Sequence, residues 1–126
     1  MMFISSVSAP LSADEVPSAE YLNSGEVFPP GIPLSEAVHL APGGLEGETR
    51  QTMENIKTTL EAHGYSMDDV VKCLVMLADV SQWATFNDIY KTWFDEPYPA
   101  RSAFGANGLA IGAQVEVECI AVRNQQ

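Results

Sequence analysis

Residues 115–122 read Val-Glu-Val-Glu-Cys-Ile-Ala-Val, and residues 97–104, shortly before them, read Pro-Tyr-Pro-Ala-Arg-Ser-Ala-Phe. The later stretch alternates apolar and polar side chains, which is typical of a strand with one buried face. Side chains on a strand alternate faces and rise ~3.3 Å per residue, so Glu116 and Glu118 share a face about 7 Å apart. The earlier stretch places Arg101 at the start of another predicted strand. We expect the chemistry of the protein in these two strands.

Arg101 is one of six basic residues in a chain with 17 acidic ones and a formal net charge of −11. Its guanidinium group is planar, permanently charged, and carries a fork of donors that fits a carboxylate. This makes Arg101 a candidate for binding a small carboxylate. The residues alone leave a second interpretation open, in which Arg101 satisfies backbone carbonyls or a carboxylate at a subunit contact.

The composition limits the class of protein. A chain of 126 residues is long enough for one domain with a single core, and 46% hydrophobic content favours a globular fold. No stripe of Lys and Arg is present to attract a phosphate backbone, so the charge disfavours nucleic-acid binding. No stretch approaches the ~20 apolar residues of a membrane span.

Two helices and an intervening strand are predicted in the middle of the chain. Met53, Ile56 and Leu60 repeat at helical spacing, and Gly64 ends this first helix. Residues 81–94 predict a second helix with an aromatic stripe, which we interpret as core: Trp83, Phe86, Ile89, Tyr90 and Trp93. Residues 70–77 predict a strand that is apolar on both faces and must be covered on both. Two helices cover only one face, so we expect the other to meet another subunit.

The N-terminal residues differ from the rest. Residues 1–19 are predicted to be an extension that is flexible or packs superficially, and residues 20–126 to form the domain. The extension lacks the positive start and long apolar run of a signal peptide, so it is at most the remnant of a targeting segment, and we expect a cytoplasmic protein. Residues 20–25 predict a short strand and residues 34–40 a weak one.

The cysteines and histidines are interpreted as structural. Cys73 and Cys119 lie in apolar strand-like runs, and two cysteines cannot build a disulfide framework, so we expect buried reduced thiols. His39 and His63 do not combine with them at the spacing of metal ligands. No metal and no cofactor are predicted.

Five segments, in order, resemble the RidA (YjgF) family of enamine and imine deaminases. They are residues 49–57 (TRQTMENIK), 68–72 (DDVVK), 86–90 (FNDIY), 99–102 (PARS) and 115–122 (VEVECIAV). The resemblance implies an α+β fold similar to chorismate mutase, with a mixed sheet and two helices on one face. It also implies a homotrimer with sites at subunit interfaces, and cofactor-independent hydrolysis of 2-imino or 2-enamino acids to 2-keto acids and ammonia.

The resemblance assigns roles to particular residues. Arg101 is expected to clamp the substrate carboxylate and Glu116 to position the attacking water. The substrate pocket is expected to include Ser102, Ala103, Asn87 and Leu34. The chain departs from the family pattern at Leu34, where many members have a tyrosine, and at Ala103, where a cysteine often follows Arg-Ser. A strand with its turn, about 15–20 residues, is missing or unobserved between residues 40 and 45.

Three functions are therefore weighed. The first is the deaminase, and the second is a non-catalytic module that binds a small carboxylate or keto acid at a subunit interface. The third is a nuclease or a protein-interaction role of the acidic surface, which the charge disfavours for nucleic acid. The expected partners are a small imino or keto acid and further copies of the chain, with no nucleic acid and no membrane.

Overall fold

The computed structural model describes residues 40–123 in full and the backbone of residues 2–8 and 19–21, and all structural statements refer to these ranges. Leu34, His39 and most of the weak strand predicted over residues 34–40 lie outside them. The described elements are strands β1 (Met2–Ser8) and β2 (Ala19–Tyr21), helix α1 (Gly44–Ala62), strand β3 (Val70–Leu77), helix α2 (Trp83–Tyr90), and strands β4 (Ala100–Gly105) and β5 (Val115–Arg123).

The strands form one mixed sheet in the order β2-β1-β5-β3-β4. β5 runs antiparallel to β3 and parallel to β1, while β4 runs parallel to β3. Parallel neighbours need a crossover connection, and α2 lies in the connection between β3 and β4. The sheet therefore places β4, which contains Arg101, and β5, which contains Glu116, on either side of β3.

Both helices pack on one face of this sheet. Met53, Ile56 and Leu60 of α1 are fully buried, as is Phe86 of α2. They share one core with the alternate residues of the two central strands: Cys73, Val75, Leu77, Val115, Val117, Cys119 and Ala121. The predicted α+β class, with a mixed sheet and two helices on one face, is confirmed. Both predicted helices are present, and the last turn of α1 is followed by Gly64 at φ +77, as predicted.

The C-terminal end of α1 is tied to the end of β5. The Arg123 guanidinium donates to the carbonyl of His63 at 3.2 Å and also to that of Gly64. Its carbon lies 4.3 Å from the ring centroid of Tyr65. Arg123 thus satisfies carbonyl groups that a helix end leaves without partners.

The opposite face of the sheet carries the other half of β3 and β5. Leu74, Met76 and Ile120 are half-buried there, and Phe104 of β4 is 46% exposed. Neither helix within residues 40–123 covers this face. The prediction that β3 is apolar on both faces is confirmed from Cys73 onward. At the start of the strand an irregularity in the register reverses the expected faces, so that Val70 is buried in the core and Val71 is 47% exposed.

The predicted N-terminal extension requires a correction. Within it, Met2–Ser8 forms β1, whose backbone pairs with β5 along seven positions, from Met2 with Val117 to Ser8 with Arg123. Superficial packing is therefore wrong for this segment. Its partner strand lies more than 100 residues along the chain, and pairing at such a distance leaves no local signal in the sequence. Residues 9–18 lie outside the described residues.

Two further expectations concern the segments on either side of the undescribed residues 22–39. The short strand predicted over residues 20–25 is confirmed at Glu20 and Tyr21, which belong to β2. Between Leu40 and Gly43 the chain forms no strand and passes directly into α1 at Gly44. Where the resemblance implies one further strand before the helix, the described interval from Leu40 to Gly43 contains none.

The prediction of reduced thiols is wrong. Cys73 and Cys119 are fully buried, as expected, but their sulfur atoms form a disulfide bond. The antiparallel register of β3 and β5 places these residues directly opposite each other on the helix-covered face. The sequence showed two separate apolar runs, whereas the disulfide depends on the register between the two strands.

Within the described ranges, no helix combines the length and the apolar character needed to cross a membrane.

Candidate functional site

Arg101 belongs to β4, and its side chain contacts α2. It is opposite Cys73 in the register of β4 and β3, so its side chain is on the helix-covered face. One guanidinium nitrogen, Nη1, donates to Oδ1 of Asn87 at 2.7 Å. The guanidinium carbon lies 5.2 Å from the ring centroid of Trp83 and 4.8 Å from that of Tyr90. Both distances are within the range of a cation–π contact.

The three contacts come from one side of α2. Trp83, Asn87 and Tyr90 are four and three residues apart, a spacing that places them on the same side of a helix. Our interpretation of the aromatic stripe as core is right for Phe86, Ile89 and Tyr90, which are buried. It is wrong for Trp83, which is 39% exposed and contacts Arg101.

A cavity of about 310 Å³ opens beside Arg101. It is lined by residues of α2, by the residue after it, and by the segment that enters β4: Asn87, Tyr90, Lys91, Tyr98, Pro99 and Arg101. Of these, the sequence identified Arg101 and Asn87. Tyr90, Lys91, Tyr98 and Pro99 were missed as lining residues, although the i, i+4, i+7 spacing of Trp83, Asn87 and Tyr90 was a signal that could have indicated the aromatic wall.

The electrostatics of this cavity differ from those of the chain as a whole. Within residues 40–123, no carboxylate lies within 4 Å of the Arg101 guanidinium, and the one ion pair found there joins Lys91 to Asp88 at 2.7 Å. Burial raises the pKa of Tyr90 to about 12, although the nearby Arg101 charge acts in the opposite direction. The Tyr90 hydroxyl is buried and has no hydrogen-bond partner in this part of the chain. Hydrogen-bond donors therefore dominate the site.

Glu116 occupies the other face of the sheet. It lies opposite Met76 in the register of β5 and β3, between the buried Val115 and Val117. Burial raises the pKa of the half-buried Glu116, and the like charge of Glu118 raises it further. Glu116 and Glu118 share a face, as the alternation predicted.

The predicted site residues therefore fall into two groups. Arg101 and Asn87 are bonded to each other, and Ala103 lies on the same face but packs against the core. Ser102 is exposed on the opposite face, two strands from β5, on the same side as Glu116. Leu34 lies outside the described residues. A single copy of the chain does not bring Arg101 and Glu116 together.

Comparison with known proteins connects this arrangement to a family. The family model described as Endoribonuclease L-PSP matches residues 21–123. The chain is 43% identical over 84 residues to the 2-iminobutanoate/2-iminopropanoate deaminase of Bos taurus, covering 67% of this chain and 61% of that protein. It is 35% identical over 114 residues to Protein HMF1 of Saccharomyces cerevisiae, covering 90% of this chain and 88% of that protein.

The solved structures agree with the sequence matches. The crystal structure of E. coli TdcF with bound serine is 36% identical, with a TM-score of 0.62, over 66% of this chain and 68% of that one. The chain spans 61% of the length of the bovine deaminase that it matches. The matched residues include α1, β3, α2, β4 and β5, the elements that carry the core and both groups of site residues. The chain belongs to the Endoribonuclease L-PSP family, the RidA/YjgF family that its sequence resembles.

Proposed function

We propose that the protein hydrolyses 2-imino and 2-enamino acids to 2-keto acids and ammonia. The observation that carries this proposal is the state of Arg101. Asn87 and two aromatic rings hold its guanidinium beside an open cavity, and no carboxylate within residues 40–123 neutralises it. A cation held in this way is suited to the carboxylate of a small substrate. Relatives named as imine deaminases support the reaction type.

The chemistry needs orientation and one proton carrier, without a cofactor. Arg101 holds the substrate carboxylate, which fixes the imine carbon where water reaches it. Glu116 takes a proton from the water as the water oxygen bonds to the carbon of the protonated imine, whose C=N π electrons move to nitrogen, giving an amino alcohol. Glu116 then returns that proton to nitrogen. The C–N bond breaks as ammonia leaves with the electron pair, and the hydroxyl proton passes to the Glu116 carboxylate as the carbonyl forms. A raised pKa suits Glu116 to this exchange, because a base works best with a pKa near the working pH.

We propose further that each site is built by two copies of the chain in a homotrimer. Two observations support this assembly. Arg101 and Glu116 are on opposite faces of the same sheet, and the face that carries Glu116 presents half-buried apolar residues that no helix of residues 40–123 covers. A repeated contact between two different surfaces closes into a ring in such an assembly, so Arg101 of one copy can meet Glu116 of the next.

The same separation favours one alternative. If no second copy supplies Glu116, Arg101 and Asn87 still form a carboxylate site, and the protein is a binding module for small carboxylates or keto acids without turnover. The cavity with its donors supports binding in either case.

The first test generates 2-iminopropanoate in situ with an amino-acid oxidase and follows 2-keto acid release above the spontaneous rate. We expect acceleration by the wild-type protein and at least about a 10²-fold loss of kcat/KM in Arg101→Ala, because orientation is lost with the carboxylate contact. A folded, oligomeric wild-type protein that gives no acceleration with several amino-acid precursors would exclude the deaminase and leave the binding module.

A further inference from the structure

The cavity beside Arg101 combines a charged end with an aromatic wall. Arg101 and Lys91 are cationic, and none of its six lining residues is acidic, in a chain with 17 acidic residues. The Lys91 charge is paired with Asp88 outside the cavity lining, which leaves Arg101 as the charge available to a ligand. A bound molecule therefore needs a single anionic group at this end.

Apart from Asn87 and the two cationic residues, the lining residues present rings to the cavity. The rings of Tyr90 and Tyr98 and the ring of Pro99 border the space next to the guanidinium. Tyr90 is 3% exposed and belongs to the core, whereas Tyr98 is 53% exposed and stands at the solvent edge. Packing in the core thus fixes the Tyr90 wall, whereas the Tyr98 ring is exposed to solvent and can be covered by a ligand.

In a single copy of the chain, before a neighbouring copy contributes Glu116, the cavity is larger than the smallest imino acids require. Its volume of about 310 Å³ corresponds to about ten water molecules at the density of the liquid. A three-carbon imino acid leaves much of that space filled with water against aromatic surface. A branched or aromatic side chain displaces this water and buries apolar area, which is favourable.

We propose that this cavity selects 2-imino and 2-keto acids with a branched or aromatic side chain, held by the carboxylate on Arg101 and by the side chain against Tyr98 and Tyr90. Tyr98 is then a specificity-determining residue that the resemblance does not assign. Selection among turned-over substrates rests on the proposed deaminase function, whereas selective binding of keto acids does not. The buried Tyr90 remains neutral over the physiological range, since its pKa is raised to about 12, and so keeps this wall uncharged.

The test measures binding of stable products by calorimetry. Pyruvate, 4-methyl-2-oxopentanoate and phenylpyruvate are titrated into the folded wild-type protein, Tyr98→Ala and Tyr98→Phe. We expect phenylpyruvate to bind at least about tenfold more tightly than pyruvate, the gain from burying an aromatic side chain. Tyr98→Ala should remove most of this preference, and Tyr98→Phe, which keeps the ring, should retain it. Because Tyr98 is exposed, its replacement leaves the core intact.

The outcomes separate this inference from the proposed function. Equal binding of all three keto acids, or a preference that Tyr98→Ala leaves unchanged, would overturn the assignment even if 2-iminopropanoate is turned over. Selective binding that depends on Tyr98, together with no acceleration of imine hydrolysis, would support the assignment and reject the deaminase. Arg101→Ala is expected to weaken binding of all three keto acids by a similar factor.

Discussion

The environment of Arg101 shows how one side chain is kept available for a ligand. One N–H group of the guanidinium donates to the Asn87 side chain, and the rings of Trp83 and Tyr90 lie beside the guanidinium. No carboxylate within residues 40–123 forms an ion pair with Arg101. Asn87 is neutral, so it orients Arg101 without cancelling its charge.

Asn87→Asp places a carboxylate where the amide now accepts from Arg101 at 2.7 Å. A charge-assisted hydrogen bond is stronger than a neutral one, so the new pair should hold Arg101 firmly and compete with any ligand carboxylate. We expect keto-acid affinity to fall about tenfold or more while the thermal midpoint stays the same or rises. Calorimetry and thermal unfolding measure the two effects, and Asn87→Ala is the control that removes the contact without adding charge. Unchanged affinity in Asn87→Asp would contradict a carboxylate site at Arg101.

Glu116 should control the acid side of the pH profile. Burial and the charge of Glu118 raise its pKa, and the base must be ionised to act, so kcat/KM should fall as the pH drops through a value above that of an ordinary glutamate. Removing the neighbouring charge lowers the pKa of Glu116, so Glu118→Gln should shift this acid limb to lower pH. Glu116→Gln should lose about 10²–10⁴-fold in kcat. An acid limb that does not move in Glu118→Gln would contradict this role for Glu116.

At the scale of elements, the disulfide joins the two central strands. Cys73 and Cys119 are separated by 46 residues, and closing a loop of this length restricts the unfolded chain. We expect the double variant Cys73→Ala/Cys119→Ala to be less stable by about 4 kcal/mol in denaturant titrations.

Thiol titration checks the bond itself. Protein purified without reductant and then denatured should release no free thiol, and the same protein after reduction should release two. Free thiols before reduction would show that Cys73 and Cys119 are reduced and would contradict the disulfide.

The elements also show which part of the fold was readable from sequence. The periodicity of Met53, Ile56 and Leu60 and the alternation around Glu116 are local patterns, and α1, β3, α2, β4 and β5 followed from such patterns. β1 and the disulfide did not, because both depend on which strands pair and in which register. Strand pairing and register connect residues far apart in the chain, and a single sequence shows neither of them directly.

For the whole molecule, the question is how two groups on opposite faces of one sheet form one site. Arg101 and Asn87, both singled out from the sequence, line the same cavity, but the sequence did not indicate that Glu116 faces away from them. Alternation places Glu116 on the face opposite Val117, yet only the register across β3 relates that face to Arg101. A shared site therefore belongs to the assembly.

Mixing two inactive variants tests this arrangement. Arg101→Ala and Glu116→Gln should each be inactive alone, but co-expressed chains form some contacts with an intact Arg101 on one side and an intact Glu116 on the other. With random mixing in a ring, about one quarter of the sites are complete, so we expect about a quarter of wild-type turnover. Turnover no higher than that of the single variants would contradict a site shared between copies. Size-exclusion chromatography of each variant and of the mixture confirms that assembly is retained.

The position of β4 at one end of the sheet bears on how the site opens. Among the described strands, β4 pairs only with β3, while β5 is hydrogen-bonded on both sides. An outer strand is released by breaking one ladder, so local opening of β4 should require less free energy than opening of β5. The amide protons of β4 should then exchange with deuterium faster than those of β5. A carboxylate bound to Arg101 holds β4 against α2. Its binding should therefore slow hydrogen exchange of the β4 amides before that of the β5 amides. Ligand departure and opening of β4 would then occur as one motion.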